Sequence, residues 1–282
     1  MSEVRELIAE GRRSLQSASP TPELDARLLL AHVLARDTSF LFMRPEHRPG
    51  EEEVGRYRAL LQRRLHGRPV AQLVGEREFY GHSFRVSDDT LIPRPETELL
   101  VEAVLERLDP DAALRVADVG TGTGAVAISL ALARPRWSLF ASEPRDELLA
   151  LAGVNRRRLN AWNLELRVSD WCVQLPVGLD ALVSNPPYVA EGDSHLRQGD
   201  VRFEPRRALA AGPDGLAALR VLVRDAPRCL VPGGLLALEH GHDQGAAVRA
   251  LMEEAGFTAI ETLRDLAGHE RVTLGRCAPQ PG

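Results

Sequence analysis

The sequence predicts an α/β protein in which a small helical domain precedes a doubly wound, mostly parallel β-sheet. A chain of 282 residues is longer than one small domain needs. Apolar residues recur at helical spacing through the first seventy or so residues, whereas strand-sized apolar runs alternate with helical segments from Leu114 onward. Buried strands separated by helices are typical of a parallel sheet with helices on both faces.

Composition narrows the class of protein. Hydrophobic residues make up 44% and charged residues 27% of the chain, which excludes a largely disordered protein. A formal net charge of −5 argues against a protein whose main affinity comes from a strongly basic face. The three cysteines are far apart and form no CxxC pair, so we expect neither a metal site nor a disulfide framework. No apolar stretch approaches the ~20 residues that span a bilayer, and we expect a cytoplasmic protein with no membrane association.

Start and stop signals divide the chain into three parts. One helix is expected to begin at Pro22, after the capping hydroxyl of Thr21, and another to run from Glu51 to about His66. Aromatic and β-branched residues around a glycine predict a short hairpin over 79–86. The predicted parts are a helical domain over 1–75, a hairpin and linker over 76–95, and an α/β domain over 96–282, whose tail 278–282 is expected to fray.

Within the α/β domain, five apolar runs have the length of strands. They are Leu114–Val119, Trp137–Ala141, Leu164–Val168, Leu179–Val183 and Leu235–Leu238. Helical segments near 125–133, 146–159, 215–229 and 243–255 separate most of them. Since ligands of such sheets bind beyond the carboxyl ends of the strands, the residues that follow each strand are the candidate site residues.

A glycine-rich loop follows the first of these strands. It consists of Gly120, Thr121, Gly122, Thr123 and Gly124 and leads into a helical segment. Alternating glycines allow a sharp turn and let a ligand approach the backbone at a helix start. The pattern predicts a nucleotide-type cofactor loop rather than a mere tight turn, although it also satisfies the G-x-G-x-x-G/A dinucleotide pattern.

Polar residues follow the next two strands. Glu143 ends the second strand, where a carboxylate can accept hydrogen bonds from both hydroxyls of an adenosine ribose. Asp170 and Trp171 follow the third strand, where the carboxylate could bond the adenine amino group and the indole could cover the ring. The alternatives are an ordinary surface glutamate and a tryptophan of the core.

Asn185, Pro186, Pro187 and Tyr188 directly follow the fourth strand. A turn that leaves the sheet is the simpler interpretation, but it explains neither the amide nor the aromatic ring. An amide or exocyclic amino nitrogen is a poor nucleophile because its lone pair is delocalised. The Asn185 side-chain oxygen and the Pro186 carbonyl can accept its two N–H groups, Pro187 can hold that carbonyl in place, and Tyr188 offers a stacking face. The motif therefore predicts methyl transfer to such a nitrogen from a sulfonium donor.

The glycine loop and Asn185–Tyr188 together resemble class I S-adenosylmethionine-dependent methyltransferases that act on amino nitrogens. Further stretches resemble the bacterial release-factor glutamine methyltransferases, the HemK/PrmC family. These stretches are Leu91–Glu98, Ser169–Trp171, Arg202–Pro205, Leu238–Gly241 and Glu270–Gly275. The resemblance extends over nearly the whole chain, including the helical front domain.

The resemblance implies a Rossmann-like methyltransferase domain and the cofactor S-adenosylmethionine. It implies methylation of the side-chain nitrogen (N5) of the glutamine in the Gly-Gly-Gln motif of peptide chain release factors. By match, Gly120–Gly124, Glu143, Trp171 and Asn185 would contact the cofactor, and Asn185–Tyr188 would contact the glutamine. The front domain would help to bind the release factor, and we expect a monomer. Members of the family often carry Asp at the position of Glu143. This chain departs from that pattern but keeps a carboxylate there.

Three alternatives remain at this point. The nearest is a methyltransferase for a ribosomal-protein glutamine or for an exocyclic amine of a nucleic acid, although the acidic net charge gives a nucleic-acid substrate little support. A dinucleotide-dependent dehydrogenase would share the glycine loop but leaves Asn185–Tyr188 unexplained. The third is a partner-binding protein that keeps the fold without catalysis.

Overall fold

The computed structural model describes residues 2–278, and residues 279–282 of the predicted frayed tail lie outside the described residues. The chain divides into two compact units. The first comprises Met1–Glu76 together with Arg197–Phe203, and the second comprises Arg77–Leu196 and Glu204–Gly282. The first unit therefore includes a short segment that lies far along the chain, which the sequence did not indicate.

The first unit is helical. Its helices are α1 (Val4–Leu15), α2 (Pro22–Leu34), α3 (Thr38–Met43), α4 (Glu51–Leu65) and α5 (Val70–Val74). Helix α2 begins at the predicted proline, and α4 ends one residue before the predicted His66, where Gly67 adopts φ 91°. Proline in the first turn and a left-handed glycine after the last turn commonly mark the start and the end of a helix.

Helices α1 and α4 pack through one aromatic side chain. The fully buried Tyr57 of α4 donates its hydroxyl to the Leu7 carbonyl of α1 at 3.1 Å. At Gly11 a Cβ atom would collide with this hydroxyl, so α1 approaches α4 because residue 11 has no side chain. The apolar faces of these helices thus form a core of their own around Leu7 and Leu29.

A buried ion pair connects three parts of the same unit. Arg64 of α4 binds Asp25 of α2 at 2.7 Å, and both side chains are almost fully buried. Its other end binds Asp200 at 2.6 Å. The Ser19 and Thr21 hydroxyls also donate to Asp25, so the buried carboxylate has partners on both of its oxygens. Paired and hydrogen-bonded charges are the form in which buried charges are tolerated.

The second unit consists of strands and helices. Its strands are β1 (Glu76–Phe79), which begins at the last residue of the first unit, β2 (His82–Arg85), β3 (Arg115–Val119), β4 (Ser138–Glu143), β5 (Leu164–Val168), β6 (Leu179–Ser184), β7 (Leu230–Glu239), β8 (Phe257–Arg264) and β9 (Glu270–Cys277). Its helices are α6 (Glu98–Arg107), α7 (Ala125–Ala133), α8 (Asp146–Arg158), α9 (Ala217–Asp225) and α10 (Gly245–Glu254). Strands β1 and β2 form the predicted hairpin.

The seven-stranded sheet has the order β5-β4-β3-β6-β7-β9-β8. The pairs from β5 to β7 are parallel, while β9 runs antiparallel to β7 and to β8. The predicted doubly wound, mostly parallel sheet is confirmed, and the antiparallel β8–β9 edge is an addition that the sequence analysis did not include. No helix among residues 2–278 has the length and apolar character required to cross a bilayer.

Helices cover both faces of the sheet. Neighbouring residues of β3 face opposite cores: Val116 packs with α6 and α7, and Ala117 packs with α9 and α10. The chain leaves β3 toward β4 on one side, whereas β6 lies on the other side. A crevice at the carboxyl ends of β3 and β6 is therefore the topological switch point, where α/β sheets bind their ligands.

Candidate functional site

The loop between β3 and α7 presents backbone without side chains to the crevice. Gly120, Gly122 and Gly124 have φ values of 72°, 53° and 82°, which favour glycine. A Cβ atom at Gly120 or Gly122 would meet no heavy atom within 4 Å, whereas one at Gly124 would lie 2.9 Å from Ile128 Cδ1. The first two glycines thus leave open space for a ligand, and the third lets the loop pack against α7.

Hydrogen bonds hold this loop in place. The buried carboxylate of Asp118 accepts the Thr121 hydroxyl at 2.6 Å and the Ala127 N–H at 3.2 Å. The N–H groups of Gly120 and Thr121 both donate to the Ser142 carbonyl of β4. Burial raises the pKa of Asp118 to about 6, opposed by these hydrogen bonds to its carboxylate. The loop is therefore fixed at its start, at its middle and at the first turn of α7.

Glu143, at the end of β4, lies beside the loop. It is 6% exposed, its Oε2 accepts the Gly122 N–H at 3.3 Å, and its Oε1 lies 3.5 Å from Arg145 Nε. Burial raises the pKa of this carboxyl, while the neighbouring Arg145 lowers it. A carboxylate held against the glycine loop can accept ligand hydroxyls at this position.

Asp170 and Trp171 follow β5 at the same edge of the sheet. The backbone of Trp171 is left-handed, with φ 49°. Its carbonyl accepts the hydroxyls of Ser142 at 3.3 Å and Ser169 at 3.0 Å, which hold this uncommon conformation. Both Asp170 and Trp171 line the cavity.

Asn185 lies across the crevice, directly after β6. The preceding Ser184 donates its hydroxyl to the Val119 carbonyl at 2.7 Å and so connects β6 to β3 just below the crevice. The Asn185 Nδ2 donates to the Thr97 hydroxyl at 3.0 Å. The Asn185 Oδ1 is buried and has no hydrogen-bond partner within the part of the chain that the structure describes. A buried acceptor without a partner is costly, which indicates that it is reserved for a ligand donor.

Tyr188 is partly buried and differs from the other three residues of the motif in its surroundings. The described residues that line the cavity include Asn185, Pro186 and Pro187 but not Tyr188. Its ring packs against the core beneath the sheet, and its hydroxyl donates to Glu239 Oε1 at 3.4 Å. Gln244 Nε2 donates to the Tyr188 carbonyl at 2.9 Å. That the ring offers a face to a planar substrate stays a prediction.

The crevice is a cavity of about 310 Å³, within the range of small-molecule sites. Most of the candidate residues line it, Gly124 and Tyr188 being the exceptions among the described residues. Those at the wall are Gly120, Thr121, Gly122, Thr123, Glu143, Asp170, Trp171, Asn185, Pro186 and Pro187. Side chains that the sequence analysis did not select as site residues complete the wall, among them Phe79, Leu91, Pro93, Thr97, Arg145, Leu148 and Arg207.

The linker before α6 is held at the cavity by a buried carboxylate. Glu204 accepts the Ile92 N–H at 2.9 Å and forms an ion pair with Arg94. Pro93 and Thr97, on either side of Arg94, line the cavity. The sequence signal for this wall is the stretch Leu91–Glu98, which the sequence analysis connects to function only through the family resemblance.

Glu98 and His240 lie in stretches that resemble the family, and both make contacts that hold the fold together. Glu98 accepts the Tyr80 N–H at 2.8 Å and so joins the hairpin to α6. His240 is fully buried, its Nδ1 lies 2.8 Å from the Gly241 carbonyl, and its Nε2 lies 2.8 Å from the Thr273 hydroxyl. Burial lowers the pKa of His240, which favours a neutral ring in the core.

The residues fit an adenosyl cofactor. Gly120 and Gly122 leave open space at the helix start, Glu143 supplies an acceptor beside it, and the Asn185 Oδ1 is an unpartnered acceptor on the opposite wall. Over residues 2–278, no group of three or more His, Cys, Asp or Glu side chains could hold a metal ion.

Comparison with known proteins decides the family. The chain is 48% identical to the release factor glutamine methyltransferase of Pseudomonas aeruginosa over 92% of this chain and 94% of that protein. It is 41% identical to the protein of the same name from Coxiella burnetii over 98% of this chain and 99% of that protein. The chain belongs to the release factor glutamine methyltransferase family. The family resemblance inferred from the sequence is thereby confirmed, and so is its implication of a methyltransferase.

Family models and a solved structure agree with this membership. The PrmC N-terminal domain matches residues 6–75, and the methyltransferase small domain matches residues 95–202. A crystal structure of a methyltransferase from Pyrococcus furiosus, 17% identical, superposes with a TM-score of 0.53 over 77% of this chain and 98% of that chain. That likeness concerns the fold alone.

Proposed function

We propose that the protein transfers a methyl group from S-adenosylmethionine to the side-chain amide nitrogen of the glutamine in the Gly-Gly-Gln motif of peptide chain release factors. The observation that carries the proposal is the buried Oδ1 of Asn185, which has no hydrogen-bond partner among residues 2–278 and belongs to a residue that lines the same cavity as the glycine loop. The names of the full-length relatives support the choice of substrate.

The Asn185 oxygen and the Pro186 carbonyl orient the substrate amide. A glutamine nitrogen is a weak nucleophile because its lone pair is delocalised into the carbonyl. Two acceptors bind its two N–H groups and direct the remaining lone pair toward the donor. Pro186 and Pro187 have restricted backbone torsions, so the carbonyl is held in place before the substrate arrives. The rate enhancement then comes mainly from positioning and electrostatics.

The opposite wall would hold the cofactor. When bound, S-adenosylmethionine supplies a methyl group on a positively charged sulfur. Glu143, which the Gly122 N–H holds in place, would accept the ribose hydroxyls, and Asp170 and Trp171, which line the same cavity, would contact the adenine. Gly120–Thr123 leave room for the cofactor along the backbone, and Gly124 supports the loop by packing against Ile128.

The site contains no requirement for a strong base. A methylated amide nitrogen is acidic, so its extra proton is lost without a dedicated acceptor. Tyr188 supports the motif beneath the cavity, and we retain its ring as a stacking partner for the glutamine. The helical unit is proposed to bind the body of the release factor, with the enzyme acting as a cytoplasmic monomer.

Labelling with radioactive S-adenosylmethionine tests this function. The purified protein is incubated with a release factor and, separately, with ribosomes, and the labelled material is digested and mapped. We expect label on the glutamine of the Gly-Gly-Gln peptide. Label on a ribosomal protein or on RNA, with none on the release factor, would replace the proposed substrate by one of the alternatives. An otherwise identical reaction without S-adenosylmethionine donor is the blank.

A further inference from the structure

The orientation of the Asn185 side chain is a separate problem from its position. A primary amide presents an acceptor at one corner and two donors at the other, and the two orientations have nearly the same shape. Only the orientation with Oδ1 toward the cavity can accept an N–H from a substrate amide. The reversed orientation would place donor against donor. Some feature of the protein must therefore select one orientation.

Thr97 contacts the nitrogen end of the Asn185 amide. It is 4% exposed and ends a short 3-10 turn, Pro95–Thr97, that leads into α6. Its Oγ1 accepts a hydrogen bond from the Asn185 Nδ2 at 3.0 Å, and the Asn185 Oδ1 has no partner among residues 2–278. A hydroxyl could equally donate to Oδ1, so its own proton must be directed elsewhere for this arrangement to hold.

Glu239 supplies a neighbour for that proton. The register of β6 with β7 pairs Ser184 with Leu238, so Asn185 and Glu239 are adjacent at the end of the sheet. Glu239 is 1% exposed, and its Oε2 has no hydrogen-bond partner within the described residues. Burial raises the pKa of this carboxyl, and the Thr97 hydroxyl close to it lowers the pKa. A Thr97 proton turned toward this unpartnered oxygen would leave the lone pairs of Thr97 facing the Asn185 NH₂ group.

We infer that Thr97, backed by Glu239, is a positioning residue that keeps the acceptor oxygen of Asn185 turned toward the substrate amide. The inference rests on the proposed function and deepens it, because it explains how one of the two required acceptors is presented. Thr97 itself acts through Asn185 and is not assigned a contact with the reacting atoms.

Removal of the Thr97 hydroxyl at constant shape tests the inference. Thr97→Val should lower kcat for methyl transfer to the release factor by roughly tenfold, the value of about one hydrogen bond, because the amide loses its preferred orientation. KM for the release factor and the affinity for S-adenosylhomocysteine, measured by calorimetry, should change by less than roughly threefold, a small fraction of a tenfold step. Thr97→Ser should restore kcat. Thr258→Val, at an exposed hydroxyl of β8, is the matched control and should leave all three quantities unchanged.

A second measurement follows the amide without requiring turnover. In protein with labelled asparagine, the Asn185 side-chain NH₂ signal is assigned by its loss in Asn185→Ala. Its hydrogen exchange should be slower than that of the exposed Asn160 in the unaltered protein and should become fast in Thr97→Val. The measurement on the unaltered protein decides the matter even if Thr97→Val does not fold.

The outcomes separate the inference from the proposed function. An undiminished kcat in folded Thr97→Val, a Thr97→Ser variant as slow as Thr97→Val, or an Asn185 amide that exchanges as fast as Asn160 would each overturn the role of Thr97. Failure of the unaltered protein to methylate the release factor would instead count against the proposed function, and the exchange measurement would still decide whether Thr97 orients the amide.

Discussion

The backbone N–H of Gly122 donates a hydrogen bond to the carboxylate of Glu143 over 3.3 Å. The bond joins the loop after β3 to the end of β4, two adjacent strands whose carboxyl ends meet at the cavity. Sequence positions 21 residues apart thus form one wall of the site.

Glu143→Gln should weaken binding of S-adenosylhomocysteine about tenfold, or about 1.4 kcal/mol. The variant keeps the shape of the side chain but replaces a charged acceptor by an amide, which accepts ribose hydroxyls less strongly. Isothermal titration calorimetry measures the change. Glu147→Gln, at an exposed glutamate of α8, is the control and should bind normally. Equal affinities of the two variants would contradict a ribose contact at Glu143.

Gly120→Ala should impair cofactor binding beyond its effect on stability. Gly120 and the hairpin residue Gly81 have φ values of 72° and 73°, and a Cβ atom at either would meet no heavy atom within 4 Å. Alanine at either position should therefore cost a similar ~1 kcal/mol of unfolding free energy through backbone strain. Only Gly120→Ala should also lose affinity for S-adenosylhomocysteine, because its methyl group enters the cavity. Denaturant unfolding measures the stability of both variants, and calorimetry measures their affinity for S-adenosylhomocysteine. Loss of affinity in both variants or in neither would refute the claim that Gly120 leaves room for the cofactor.

Arg64→Met should destabilise the helical unit by about 3–5 kcal/mol. The substitution keeps most of the apolar volume but leaves the buried Asp25 carboxylate without its charged partner. Arg63→Met, at the exposed neighbouring arginine of α4, should change stability by less than ~0.5 kcal/mol. Urea unfolding followed by circular dichroism checks both. If the two variants were equally stable, the Arg64–Asp25 pair would not contribute as its burial suggests.

Glu239 should make the protein less stable as pH rises. Burial raises its pKa from 4.5 to about 7, so the folded state holds this proton more tightly than the unfolded chain does. The destabilisation is absent below about pH 4.5, develops as pH rises through about 7, and reaches on the order of 3 kcal/mol above it. Unfolding of the unaltered protein and of Glu239→Gln between pH 5 and pH 8 should show the variant gaining relative stability as pH rises. A stability difference between the two proteins that does not change with pH would contradict the raised pKa of Glu239. The raised pKa of Asp118 affects both proteins equally and cancels in this difference.

The sequence predicts those parts of the fold whose signals are local. Strand β6 (Leu179–Ser184) extends the predicted Leu179–Val183 by one residue and α7 occupies the predicted 125–133, because a buried run between breakers is readable from its own residues. Strand β8 was missed since its half-exposed edge position leaves charged residues among its apolar ones. The placement of Arg197–Phe203 with the helical unit depends on Asp200 meeting Arg64, 136 residues earlier, and no local pattern carries that information.

The candidate site likewise contains residues that the sequence identifies and residues that it does not. Backbone glycines and the Asn-Pro-Pro motif could be selected because their chemistry is written in adjacent residues, and the structure places them on facing walls of one cavity. Thr97 could not be selected, because its partner Asn185 is 88 residues away and only the packing of the linker brings them together. The orientation of Tyr188 toward Glu239 likewise depends on the pairing of β6 with β7.

The proposed methyl transfer depends most directly on the acceptor oxygen of Asn185, and removal of this oxygen is the decisive test. Asn185→Ala should abolish methyl transfer to the release-factor glutamine while leaving the affinity for S-adenosylhomocysteine within roughly tenfold, about 1.4 kcal/mol, because the cofactor is held mainly by the opposite wall. Calorimetry on the same preparation shows that the variant is folded and binds. A variant that binds the cofactor product and still turns over at the rate of the unaltered protein would contradict the claim that this oxygen orients the substrate nitrogen.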